Sequence, residues 1–210
     1  MPITEPFEEH TDRYEEWFEA HEAAYESERS AVRKLVPEEG RGLEIGVGSG
    51  RFAGPLGFDV GIDPSRNMLT NARERGVTVA VGVAEHLPFR DGSFDAALIV
   101  TTICFVDDVR TTLEETRRVL APDGRLVMGF VDRESPLGQH YEEKREENPF
   151  YRDATFHSTD DLRSAMDAVG FADMTFRQTI FERPGEMAAP EDSREGYGEG
   201  SFVVIAGTPT

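Results

Sequence analysis

Leu43-Glu44-Ile45-Gly46-Val47-Gly48-Ser49-Gly50 is a short apolar run that ends in three alternating glycines. An apolar run of this length suits a strand buried on both faces. Glycines at the end of such a strand let a ligand approach the backbone, whose free amides then receive polar groups. Spacing narrows the ligand. A dinucleotide fingerprint needs Gly-x-Gly-x-x-Gly, and its third glycine falls on Arg51 here. An arginine there obstructs both close helix–strand packing and approach to a pyrophosphate. The phosphate-cradling Gly-x-x-x-x-Gly-Lys-Ser/Thr pattern is absent. The loop therefore suits a ligand without a pyrophosphate.

Similar runs follow on the C-terminal side. Residues 58–62, 77–81, 95–100 and 125–131 are apolar and strand-like. Between them lie helical stretches: Ser65 caps one that Gly76 stops, and Asp108 caps one that runs to Leu120. Continuous apolar strands alternating with helices predict an open, doubly wound, mostly parallel sheet. Residues 8–35 read as one amphipathic helix, closed by Pro37 and Gly40. Residues 137–157 are polar and aromatic. A helix capped by Ser158 or Thr159 follows, ending at Gly170. A strand over 172–182, a loop over 183–200 and a strand over 202–206 suggest an antiparallel pair at one sheet edge.

Four segments in register resemble the class I S-adenosylmethionine (SAM) dependent methyltransferases, in the type 11 methyltransferase-domain branch. They are the glycine loop, Gly61 to Leu69, Ala84 to Asp95, and Arg117 to Leu126. The resemblance covers about residues 40–131. It implies α/β architecture with a Rossmann-like seven-stranded sheet and an antiparallel edge strand. The chain then reads as one methyltransferase domain over 1–210: helical cover at 1–38, SAM-binding core at 40–131, lid-like insertion at 132–157, and C-terminal helix with its strand pair at 158–210.

The resemblance also implies roles. Glu44 and the Gly46 and Gly48 backbones would hold the amino-acid end of SAM. Asp63 would accept from both ribose hydroxyls, Ala84 and Glu85 would flank the adenine, and Thr101 would line the methionine end. Asp63 stands 17 residues after Gly46, near the spacing of a ribose acid. S-adenosylhomocysteine (SAH) would be the product. The family commonly has an Asp where Val83 stands. The adenine amino group is thus left to Glu85, a backbone carbonyl or water. The family also often has histidines where Cys104 and Phe105 stand, and their loss makes a typical quinone- or sterol-type acceptor site less secure.

Methyl transfer from a sulfonium is an in-line displacement, so the protein mainly positions the partners and excludes water. Oxygen and carbon acceptors usually need a general base, whereas a neutral amine needs desolvation and alignment. Asp132, Glu134, His140 and Tyr141 follow the fifth strand and are the candidate bases. Tyr14, Trp17, Phe18 and Tyr25 in the N-terminal helix, with Phe150 and Tyr151 in the insertion, are the candidate walls of an acceptor pocket. Phe156 belongs to the same insertion. Aromatic walls with nearby carboxylates suit an amine or other cationic small molecule. Cys104 reads as a small buried apolar residue rather than a covalent nucleophile. A non-catalytic SAM-binding sensor and a nicotinamide-dependent oxidoreductase are the alternatives.

Composition limits the partners. Of 210 residues, 41 are acidic and 22 basic, a formal charge of −19; Lys34 and Lys144 are the only lysines. Such a surface suits a high-salt cytosol, where carboxylate repulsion is screened. It is a poor phosphate-tracking surface, so nucleic acid is not expected. No apolar run approaches membrane-spanning length, and Met1 to Glu5 lack leader character. A single cysteine excludes an intrachain disulfide and a cysteine metal cluster; no metal is expected. The expectation is a cytoplasmic monomer or homodimer.

Overall fold

A computed structural model describes residues 4–210. The leader reading at Met1–Ile3 lies outside the described residues. Four parallel pairings build the first half of the sheet. β1 (Gly42–Ile45) is buried along its whole length and lies between β2 (Val60–Asp63) and β4 (Phe94–Val100), while β3 (Thr78–Val81) flanks β2. β5 (Leu120–Val131) pairs with β4, the register jumping from Phe94–Leu120 to Ala96–Arg125. Residues 121–124 bulge out there, where the Pro-Asp-Gly sequence favours a turn.

The full order is β3-β2-β1-β4-β5-β8-β6-β7. β8 (Phe202–Pro209) runs antiparallel between β5 and β6 (Phe171–Thr179). The eighth strand, beyond the expected seven, is β7 (Arg194–Glu195), a two-residue addition to β6. Short polar strands of this kind have no hydrophobic period to betray them. The connections place a switch of direction between β1 and β4, whose C-terminal ends open a crevice.

Helices cover both faces, the short α4 (Ala53–Leu56) following the glycine loop, and each face has its own apolar core. Ser65 caps α5 (Arg66–Glu74) through the Met68 amide, and Asp108 caps α6 (Val109–Val119) through the Thr111 amide. Ser158 and Asp161 form a reciprocal capping box on α8 (Thr159–Ala168). The N-terminal segment departs from the single expected helix. It divides into α1 (Glu5–Glu9), α2 (Thr11–Ala20) and α3 (Glu22–Arg33). The breaks fall at His10 and His21, with φ of −124° and −126°. The His21 ring stacks on Trp17, and its Nδ1 lies 2.9 Å from the Trp17 carbonyl. The bends carry the chain from α5, which α1 contacts, to β5, β6 and β8, which α3 contacts. In the insertion, Ser135 caps α7 (Pro136–Glu143). No described helix is long and apolar enough to cross a membrane.

Candidate active site

The glycine loop owes its shape to positive φ angles of 72°, 49° and 79° at Gly46, Gly48 and Gly50. Any side chain at Gly46 would collide with Thr102, whose Cγ2 lies 2.2 Å from the notional Cβ. Thr102 Oγ1 donates to the Gly46 carbonyl at 3.1 Å and so ties the loop to the end of β4. Gly50 serves helix packing instead, since its notional Cβ would meet the Ala72 Cα at 3.1 Å. Arg51 turns outward to the N-terminal cover. Its Nε donates to Glu15 at 2.9 Å, and its guanidinium lies over the Phe18 ring.

Two acids serve the loop. Asp63, at the end of β2, accepts from the Gly48 amide at 2.9 Å and the Ser65 amide at 2.8 Å. Burial pushes its carboxyl up to about 6 despite those two bonds. Glu44 is buried in β1, and burial holds its carboxyl well above its usual value. Its Oε2 has no partner among the described residues. Glu44 sits behind the loop rather than on the cavity wall. Tyr14 lies over the loop, its Oη 3.5 Å from the notional Gly48 Cβ. Burial, then Glu44 and Asp63, raise its phenol far above the ordinary range.

A cavity of ≈ 260 Å³ begins at this loop. Gly46, Gly48, Asp63, Val83, Ala84, Glu85 and Thr101 all line it. Thr101 holds a φ of 49°, an uncommon conformation for a β-branched residue, stabilised by its amide bond to the Gly129 carbonyl at 2.8 Å. The Glu85 carboxylate accepts from the Asp107 amide at 2.7 Å, so it also pins the turn that follows β4. A glycine loop that admits no Cβ at Gly46 and an acid at the β2 end, both on the cavity wall, fit the amino-acid and ribose groups of SAM.

The same cavity continues into an aromatic chamber. Tyr14, Trp17, Phe18, Tyr141, Phe150, Tyr151 and Phe156 line it, joined by Phe7 and Phe105. Phe7 and Phe150 meet at 5.4 Å between ring centroids, and Tyr141 stacks on Tyr151 at 4.5 Å. The N-terminal helices and the insertion thus touch across the cleft. Tyr25 is corrected. It is buried in the core, donates to the Arg51 carbonyl and is absent from the cavity wall.

Asp132 is corrected as well. Its Oδ2 accepts from the Thr159 amide and hydroxyl, and its Oδ1 from the Glu134 amide, so it fastens α8 to the end of β5. Glu134 and His140 are exposed and lie off the cavity wall. Tyr141 does reach the cavity, with its phenol pushed up to about 12 by burial. Burial also drives the Cys104 thiol up to about 12, which keeps it protonated and unsuited to nucleophilic attack.

Glu28, a cavity residue overlooked in the sequence, lies on the apolar face of α3 with Ala24, Tyr25, Ala31 and Val32. An acid inside an otherwise apolar i, i+4, i+7 stripe was the available signal. Its residue exposure is 5%, and burial pushes its carboxyl up to about 8. Thr102 and Phe7 were also overlooked; nothing local in the sequence marks either.

Fold and site together define a SAM-dependent methyltransferase of class I. The type 11 family model, a methyltransferase domain, matches residues 43–128, and the chain belongs to the SAM-dependent methyltransferases. It is 40% identical over 200 residues to an uncharacterised protein of Methanocaldococcus jannaschii, covering 95% of this chain and 97% of that one. It resembles a solved SAM-dependent methyltransferase from Thermotoga maritima, described as a possible histamine N-methyltransferase. That match has 50% identity, a TM-score of 0.97 and coverage of 99% and 100%. A protein solved in complex with the Haloferax volcanii Trm112 methyltransferase activator shares the fold at 23% identity and a TM-score of 0.76, covering 100% of this chain and 98% of that one. The enzyme uses SAM as methyl donor; the dinucleotide alternative falls away.

Proposed function

We propose that the enzyme methylates a small-molecule amine or other cationic metabolite. One observation carries this reading: a single cavity runs from the glycine loop into a chamber walled by Trp17, Tyr141, Phe150 and Tyr151. Aromatic faces attract organic cations by about 0.5–2 kcal/mol each, more when water is excluded. The bound SAM supplies an electrophilic methyl group on a sulfonium. The residues do the rest by binding and orientation. Gly46, Gly48 and Asp63 hold the donor, with Glu44 behind the loop and Ala84, Glu85 and Thr101 beside the donor. The aromatic walls exclude water and align the acceptor nitrogen.

Asp132 and the chamber tyrosines offer no base for a phenol or carbon acceptor, which suits an amine. Asp132 is occupied by Thr159, and the chamber phenols Tyr141 and Tyr151 are held protonated by burial. The name of the Thermotoga protein makes histamine the first amine to offer. The test separates cell metabolites by charge and incubates each fraction with the protein and SAM bearing a tritiated methyl group. Label is expected in the cation-exchange-retained fraction. Label confined to neutral or anionic fractions would overturn the amine assignment. SAM binding without label anywhere would favour a SAM-binding sensor.

A further inference from the structure

We propose that Glu28 is the group that receives the acceptor's ammonium, from its place on the wall of the aromatic chamber. This rests on the amine reading above and adds its specificity determinant. Glu28 lines the cavity that also holds Trp17, Tyr141 and Tyr151. It is nine-tenths buried or more, yet no hydrogen bond or salt bridge to its carboxyl is found among the described residues. Its neighbour Ser27 turns the other way, bonded to the Ala23 carbonyl and the Glu191 amide. Carboxyls are almost never buried without a partner, because the charged form loses its hydration. A structural role would show the partner. Glu28 lines the cavity, and its charge acts on the phenols of Tyr141 and Tyr151 on the same wall.

Burial alone accounts for the raised carboxyl of Glu28, about 8; no cation stands close enough to lower it. An incoming ammonium supplies the missing partner. The ionised fraction of Glu28, which grows as pH rises toward 8, takes the ammonium proton: the N–H bond breaks, an O–H bond forms at the carboxylate, and the electron pair stays on nitrogen. Both groups end neutral, which a dry cavity favours over an ion pair. The nitrogen lone pair is thereby free to attack. The tyrosine rings around the site supply faces for the rest of the cation.

The test uses the full-length protein, tritiated SAM and three probes: benzylamine, phenethylamine and the neutral benzyl alcohol. Wild-type protein is expected to label at least one amine. Glu28→Gln should raise the KM for that amine at least about tenfold, the lower end for losing a hydrogen bond to a charged group. SAM affinity by calorimetry and inhibition by benzyl alcohol should stay within twofold of wild type, about the limit of resolution. Glu28→Asp keeps the charge and should fall between. Amine labelling with an unchanged KM in Glu28→Gln overturns the assignment of Glu28 and leaves the amine reading intact. Failure of wild type to label any amine, or labelling of the alcohol alone, overturns both. If Glu28→Gln fails to fold, a Glu28→Asp KM equal to wild type overturns the proposal.

Discussion

The Asp63 carboxylate accepts from the Gly48 and Ser65 amides and still faces the cavity. A carboxylate has about four lone-pair positions, so room remains for ribose hydroxyls. Asp63→Ala is expected to weaken SAM binding by about 1.5–3 kcal/mol, the worth of a bond to a charged group. Calorimetric titration checks this, and an unchanged dissociation constant would refute the ribose assignment. Glu28 makes a prediction of the opposite kind, about stability. Its folded carboxyl titrates at about 8, above the ordinary 4.5 of the unfolded chain. Below the ordinary value both states are protonated and Glu28 contributes no pH dependence. Between the two values the folded chain binds the extra proton, so stability falls as pH rises. Glu28→Gln should therefore lose less stability than wild type across that window. Urea unfolding at a series of pH values decides it; parallel curves for the two proteins would contradict it.

At the scale of elements, α2 is fastened over the glycine loop by charge. Glu15 receives Arg51 and Arg75, the latter at 2.7 Å, with Glu15 side-chain exposure of 17%. Arg75 also donates to the Ser49 carbonyl at 2.7 Å, so one acid couples the cover helix, the loop and the end of α5. Glu15→Gln should cost on the order of 1–3 kcal/mol of global stability, because two largely buried arginines lose their charged acceptor. Its local effect should be larger: faster amide exchange over residues 11–20 and a raised KM for the acceptor, with the fold intact. Unchanged exchange in that segment would show that aromatic contacts alone hold the cover. The Gly46–Thr102 contact predicts a harsher outcome. Gly46→Ala adds a methyl group where Thr102 already stands, at a positive φ. About 1–3 kcal/mol of strain is expected, with loss of SAM binding.

Across the whole molecule, a charge of −19 repels itself. Raising salt from about 0.1 M to about 1 M shortens the screening length from about 10 Å to about 3 Å. The melting temperature is expected to rise over that range in potassium chloride, as relief of self-repulsion requires. A flat or falling melting temperature would remove the high-salt reading of the composition.

The sequence by itself determined the parallel half of the sheet and the shape of the glycine loop. Both rest on local rules: apolar runs make buried strands, glycine permits positive φ, and Ser65, Asp108 and Ser158 satisfy helix amides within three residues. The glycine loop and Asp63 were legible because they sit at the ends of such strands. Tertiary structure alone decided the acceptor chamber. The breaks at His10 and His21, the meeting of Phe7 with Phe150, and the inward face of Glu28 depend on segments over a hundred residues apart in places. The same contacts withdrew Tyr25 and Asp132 from the site, since a side chain's partner is set by whatever the fold brings to it. Polarity and spacing identify candidates for such a chamber, but only long-range packing selects among them.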